Sequence, residues 1–232
     1  MRKVKYEEML PHEFLEALQQ FPVAYVPVGS LEWHGRHLGL GTDCLKAAGI
    51  LYRTAEKYGG IVVPPTYWGH MNMYDKPCSH QGLPPQVVDE LFIAIFQGLA
   101  VTGFKVVIGV TGHDVDEQLE SLQKAANSIS GNGRTVGFAM KEGDLYDLEA
   151  EKMDHAGYWE TSMMMYLHPE LVDLVQIKNE DLSTEAGNRR AGILGRDPRS
   201  EATLELGDHF VNRIADNIGR KAQELLAGLR QG

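Results

Sequence analysis

Apolar residues along this chain fall into two patterns. Short, mainly apolar runs at residues 23–28, 61–65, 104–110 and 134–140 are the length of strands covered on both faces. Between them, apolar positions recur at three- and four-residue intervals over residues 11–20, 42–57 and 85–99, from about 117, and over 200–229, which predicts amphipathic helices. Pro11 and Pro85 suit first helical turns, Thr42 or Asp43 an N-cap, and Gly59-Gly60 and Gly103 the stops. Strands alternating with helices predict an α/β fold with a mainly parallel central sheet and helices on both faces. No repeat or linker divides the chain, so residues 1–232 are expected to form one domain.

The candidate chemistry sits where strands end. After the first run, Gly29-Ser-Leu-Glu-Trp-His-Gly-Arg-His-Leu-Gly-Leu-Gly-Thr-Asp43 carries Glu32, His34, His37 and Asp43. Carboxylate and imidazole donors together suit a hydrolytic divalent metal such as zinc, manganese or iron. Five glycines and prolines from Pro27 to Gly41 let the backbone turn tightly enough to aim those side chains inward. A second station, Thr111-Gly112-His113-Asp114, follows the third strand, and a third, Asp154-His155 to Met163, precedes an apolar methionine run read as helix core. Right-handed crossovers bring the loops after strands one and three to one sheet edge, where ligands bind in open α/β sheets.

The long segment 67–82, rich in aromatics, methionines and histidines, reads as a substrate-pocket wall, in which His70 and His80 are either substrate contacts or hydrogen-bonded loop histidines and Trp68 either walls the pocket or packs in the core. Trp33, Tyr67, Tyr158 and Trp159 either wall the same pocket or pack in the core. Arg36 is either an anion-binding fork or a surface ion-pair partner. The residues of the turn after the fourth strand, Asp144, Asp147 and Glu149, read as solvated.

Composition narrows the function class. A formal net charge of -10 opposes nucleic-acid and anionic-membrane partners, which reward a basic surface, and favours a small-molecule substrate. No apolar run approaching 18 residues and no basic, apolar leader is evident, so a cytoplasmic location is expected. The two cysteines, Cys44 and Cys78, support neither a disulfide framework nor a thiolate zinc site; Cys44 reads as a small core residue.

The three stations together resemble the creatininase family, the creatinine amidohydrolases and their relatives. Gly29-Ser-Leu-Glu-Trp-His-Gly-Arg-His-Leu with Thr42-Asp43, Thr111-Gly-His113, and His155-Ala-Gly-Tyr-Trp-Glu-Thr-Ser162 are similar to its motifs in order, as is Gly192-Ile-Leu-Gly-Arg-Asp-Pro-Arg-Ser-Glu-Ala-Thr203. The resemblance spans residues 23–203. It implies a three-layer α/β/α sandwich, a homo-oligomer that is often a hexamer, and one or two divalent metals (Zn, Mn or Fe) per chain. By position, Glu32, His34, Asp43 and His113 are implied as metal ligands, Asp43 as the bridging carboxylate, and His155 and Glu160 as the catalytic groups. Trp68, His80 and Tyr158 are the expected substrate contacts. Three positions depart from the pattern: Val115 stands where creatininase has a Glu ligand to a second metal, Thr111 where Asn is usual, and Tyr158 where many relatives carry Glu. The implied activity is hydrolysis of a non-peptide C–N bond, a cyclic amide or formamide, by metal-activated water with His/Glu proton transfer. The alternatives are a peptide-like bond in cofactor maturation, or a catalytically weak metal-bound homologue.

Overall fold

The computed structural model describes residues 3–72, 75–131, 133–146 and 154–229. In chain order its elements are α1 (Pro11–Gln20), β1 (Val23–Val28), α2 (Thr42–Tyr58), β2 (Ile61–Val62), α3 (Pro85–Thr102), β3 (Val106–Thr111), α4 (Asp116–Ile129), β4 (Val136–Lys141), α5 (Tyr158–Leu167), α6 (Glu185–Ala191), α7 (Pro198–Glu201) and α8 (Leu204–Leu229). The strands form one sheet in the order β2-β1-β3-β4, every neighbour parallel. β1 pairs with β3 in register from Val23↔Val106 to Val28↔Thr111, so both strands end at the same level.

Side chains that alternate across β1 and β3 divide the core in two. Val23, Tyr25, Val106, Ile108 and Val110 pack with Ile50 and Leu51 of α2, Trp159 and Met163 of α5, and Phe210, Ile214 and Ile218 of α8. Ala24, Val26, Val28 and Val107 pack with Phe92 and Phe96 of α3 and Leu122 and Ala125 of α4. The result is three layers, helix on sheet on helix. The adjacent strands β1 and β3 feed helices on opposite faces, α2 and α4, which opens a crevice at their shared carboxyl edge.

The differences from the sequence reading lie at element ends. β2 is two residues long, not five, because Pro64 and Pro65 have no N–H to extend the ladder, although Val63 N still donates to Tyr25 O. Gly41, not Thr42 or Asp43, caps α2, and the Thr42 hydroxyl donates back to Gly39 O. The final helix breaks at residues 202–203. Asp197 caps α7, and Thr203 Oγ1 accepts from Leu206 N at the start of α8. Helix α6 lies outside the helices that the periodicity predicts and is capped by Thr184. Helix α3 also reaches 18 residues and is long and apolar enough to span a membrane by length and composition alone. It carries Asp89 and Glu90, and its Val88, Phe92, Phe96 and Leu99 face is buried against the sheet layer. Asp144 is exposed as expected; Asp147 and Glu149 lie outside the described residues.

Candidate metal centre

Two glycines allow the first turn of α2 to lie against the strand ends. A Cβ on Gly29 would stand 2.5 Å from Cys44 N, and one on Gly112 would stand 2.1 Å from the backbone oxygen of Asp43. Glycine is therefore needed for close backbone approach. That approach carries Asp43 under the turn that presents His113. Thr111 holds this turn, its hydroxyl accepting from His113 N (3.0 Å) and donating to His113 O (2.9 Å). The hydroxyl at 111 thus does turn-holding work that an asparagine side chain could also do.

The third station is built from behind. His155 pairs through its backbone with Leu194, and the Asp154 carboxylate accepts from Trp159 N and Glu160 N, capping α5. The fourth motif, residues 192–203, therefore backs the third station. Ala156 sits between them at φ 54, a strained conformation for a residue with a Cβ.

These loops bring Glu32, His34, Asp43, His113, His155 and Glu160 together. Asp43 is shared: Oδ1 lies 2.9 Å from His34 Nε2, and Oδ2 lies 3.1 Å from His113 Nδ1. Glu32 Oε2 is 3.0 Å from His113 Nδ1 and 4.0 Å from His155 Nδ1, and Glu160 Oε2 is 3.5 Å from His34 Nε2. Among the described residues, three sets offer ligand atoms within 4.8 Å of one another: Glu32–Asp43–His113, His34–Asp43–Glu160 and Glu32–His34–His155. Despite these short separations, Glu32 Oε2, His34 Nε2 and Asp43 Oδ2 are buried without a hydrogen-bond partner. Buried acid and imidazole atoms that converge with some of them left unpaired are what a cation would satisfy, so the donor set fits a divalent metal. His34 Nδ1 faces Glu32 O at 3.1 Å; donating its proton there leaves Nε2 as the free donor atom.

Electrostatics agree with the geometry. Burial alone would lower the His34 pKa, but Asp43, Glu160 and Glu32 outweigh it and raise it to about 9. His113 is likewise pulled down by burial and carried up to about 10 by Asp43 and Glu32. Asp43 lies well below the usual carboxylate range, the two imidazoles overcoming burial. At pH 7 the metal-free protein thus holds protons where a cation would sit. Binding of Zn²⁺ is expected to expel about two protons and to tighten as pH rises toward the raised histidine values. Calorimetry in buffers of different ionisation enthalpy measures this; binding with no proton release would rule out these two imidazoles as ligands.

His155 differs from its neighbours. Its Nε2 lies 2.9 Å from Trp33 O, an atom that only accepts, so Nε2 carries the proton and Nδ1 presents its lone pair toward Glu32. Burial and then the nearby His34 lower its pKa below 6.5. Its side chain is 19% exposed, against 0–6% for His34, Glu32, Asp43, His113 and Glu160, so it stands at the opening.

Other candidates fall outside the cluster. His37 Nε2 pairs with Thr161 Oγ1 (3.0 Å), and burial with repulsion from His34 lowers its pKa to about 4; it pins the loop to α5. His70 is tied to Ser121 and takes no part. His80 N donates to Leu31 O and Ser79 Oγ accepts from Trp33 N, which lays segment 79–80 along the first station. His80 and the exposed Trp68 meet edge to face at 5.1 Å. Tyr158 is placed elsewhere than expected: 2% exposed, it packs on Phe210 beneath Arg196, in the core rather than at a substrate's edge, and Trp159 is buried likewise. Arg36 pairs with Glu180 at the surface. Val115 is buried and supplies no ligand atom.

Sequence reasoning missed Lys46 and Glu142. Lys46 is fully buried one turn after Asp43, bonded to Glu142 and Glu160. The available signal was a lysine in the otherwise apolar stretch Cys44 to Leu51.

Comparison with known proteins bears on the family and the fold. Residues 7–221 match the Creatininase family, described as creatinine amidohydrolase. A mycofactocin precursor peptide peptidase from Mycolicibacterium smegmatis is 29% identical, over 86% of this chain and 85% of its own length. Creatinine amidohydrolase from Pseudomonas putida is 25% identical over 70% of each chain. A crystal structure of creatininase superposes with a TM-score of 0.81 at 22% identity, over 97% of this chain and 99% of that one, and solved creatininases of this fold include zinc–zinc and manganese forms.

Proposed function

The chain belongs to the creatininase family of metal-dependent hydrolases, and from that premise we propose that it hydrolyses a non-peptide amide C–N bond, a cyclic amide or formamide, in a small polar molecule. The observation that carries this reading is one neutral, partly open imidazole, His155, beside a buried set of converging acid and imidazole donors. Glu32, Asp43 and His113 would hold the metal, with His34 and Glu160 alongside. When bound, a divalent cation (Zn, Mn or Fe) polarises a carbonyl and makes water a usable nucleophile near neutral pH. His155 Nδ1 accepts the proton that water gives up and returns it to the departing nitrogen. The Trp33 carbonyl keeps the imidazole in the tautomer this requires. Trp68 and His80 border the first station and hold the flat face of the substrate. The narrow, largely buried setting favours a small reacting group.

The peptidase relative at 29% identity favours a second reading, in which the same site cuts a peptide-like bond near a chain end. Protein loaded separately with Zn²⁺, Mn²⁺ or Fe²⁺ and assayed on creatinine, other cyclic amides, N-formyl amines and short peptides separates the two. Turnover of cyclic amides or formamides supports the first; turnover confined to peptides replaces it with the second. No turnover of any class would sink both. The chain is also inferred to self-associate: Val87, Leu91, Ala94, Gly98 and Val101 lie at alternating four- and three-residue spacing along α3, with Val87 and Val101 exposed.

A further inference from the structure

Lys46 is an expensive residue to bury, and nothing in the proposed reaction uses it. It lies three residues after Asp43 on the same face of α2 and is 0% exposed. Its Nζ donates to Glu142 Oε1 at 2.6 Å, from the end of β4, and to Glu160 Oε1 at 2.5 Å, from the first turn of α5. One cation therefore joins α2, β4 and α5 around the centre. The effect on Glu160 is specific. With Oε1 taken by Lys46, Oε2 accepts from Ala156 N at 2.6 Å and faces His34 Nε2 at 3.5 Å. The carboxylate is held from both ends in a single orientation, and that orientation points Oε2 at the donor set His34–Asp43–Glu160. Val115, where the resemblance would place a carboxylate ligand, offers none, so Glu160 is the carboxylate available to complete that set.

We propose that Lys46, braced by Glu142, is a positioning residue that fixes Glu160 Oε2 beside His34 and Asp43 and so creates a second cation position next to Glu32–Asp43–His113. The inference rests on the metal-centre reading above. Outer-sphere partners of this kind typically change metal affinity by roughly 10–100-fold.

Charge and positioning can be separated. Lys46, Glu142 and Glu160 together carry one net negative charge when all are ionised. Lys46→Met with Glu142→Gln removes one positive and one negative charge, leaving that net charge unchanged while removing the clamp. Glu142→Gln alone removes a negative charge and keeps the Lys46–Glu160 bond. The double variant also avoids leaving two buried carboxylates without their cation, a change expected to destabilise the single Lys46→Met protein. The experiment titrates metal-free wild type and both variants with Zn²⁺ against a chromophoric chelator, with thermal melts confirming folded protein.

The expected result is two zinc equivalents per chain in wild type, with one class weakened at least about tenfold in the double variant and within about threefold of wild type in Glu142→Gln. Weakening in Glu142→Gln with an unchanged double variant would assign Lys46 and Glu142 a charge role only and overturn the proposal. A single zinc equivalent, indifferent to both variants, would overturn it while leaving the metal centre standing. No stoichiometric zinc in wild type would instead overturn the metal centre itself. A double variant that fails to fold is replaced by Lys46→Gln with Glu142→Gln, read by the same criteria; if that also fails to fold, Lys46 is a folding residue and the proposal falls.

Discussion

Asp43→Asn is expected to strip the metal from the protein and nearly all hydrolysis with it. The Asp43 carboxylate is 2% exposed and faces His34 with one oxygen and His113 with the other. It belongs to two of the three donor sets. Asparagine keeps the shape but replaces one oxygen with an NH₂ group, which presents hydrogens where a lone pair is needed. It also removes the charge that holds both imidazoles in line. Affinity should fall by more than the roughly 10–100-fold seen for outer-sphere changes. Losing the several kcal/mol of charge stabilisation a metal provides corresponds to a rate loss on the order of 10³-fold or more. Elemental analysis and turnover of the loaded protein, wild type beside variant, measure both. Retention of stoichiometric metal with near-normal turnover would show that the bridging position assigned to Asp43 is wrong.

What made Asp43 legible in the sequence was its place in a local pattern: a buried strand, a glycine-rich turn, then acid and imidazole donors before a helix. His113 was legible for the same reason. Lys46 and Glu142 were not, because their meaning lies in a contact between residues 96 apart in sequence, and a lysine on a helix is ordinarily solvated. Tyr158 was misplaced by proximity in sequence. Successive helical residues turn by about 100°, so Tyr158 and Glu160 in the same turn of α5 point to nearly opposite sides. Glu160 reaches the centre and Tyr158 the α8 side of the core. The layered fold followed from strand and helix periodicity, whereas element ends depended on details such as Pro64-Pro65 and the Thr203 cap, where side-chain hydrogen bonds decide the last residue. The glycines at 29 and 112 looked like ordinary turn residues; the structure shows that backbone clearance against Asp43 also requires them.

His155→Ala tests the chemistry rather than the binding. His155 lies at the edge of the donor cluster, and Glu32–Asp43–His113 is complete without it, so metal content should persist. Loss of the group that carries the proton should lower kcat by about 10²–10⁴-fold. The pH profile gives the sign. His155 acts as a base only when neutral, and burial together with His34 holds its pKa below 6.5, so wild-type kcat/KM should rise with pH through a value below 6.5 and then level off. A metal cation nearby would push that value lower still. The variant should lose this acidic limb, and added imidazole, able to enter beside a side chain that is 19% exposed, should restore part of the rate. A His155→Ala protein with full metal, unchanged kcat and an intact acidic limb would shift proton transfer to Glu160, whose Oε2 also faces the centre. Because Lys46 and His34 hold Glu160 below the ordinary glutamate range against its burial, that acidic limb would then lie below pH 4.5, and its survival in the variant would assign it to Glu160.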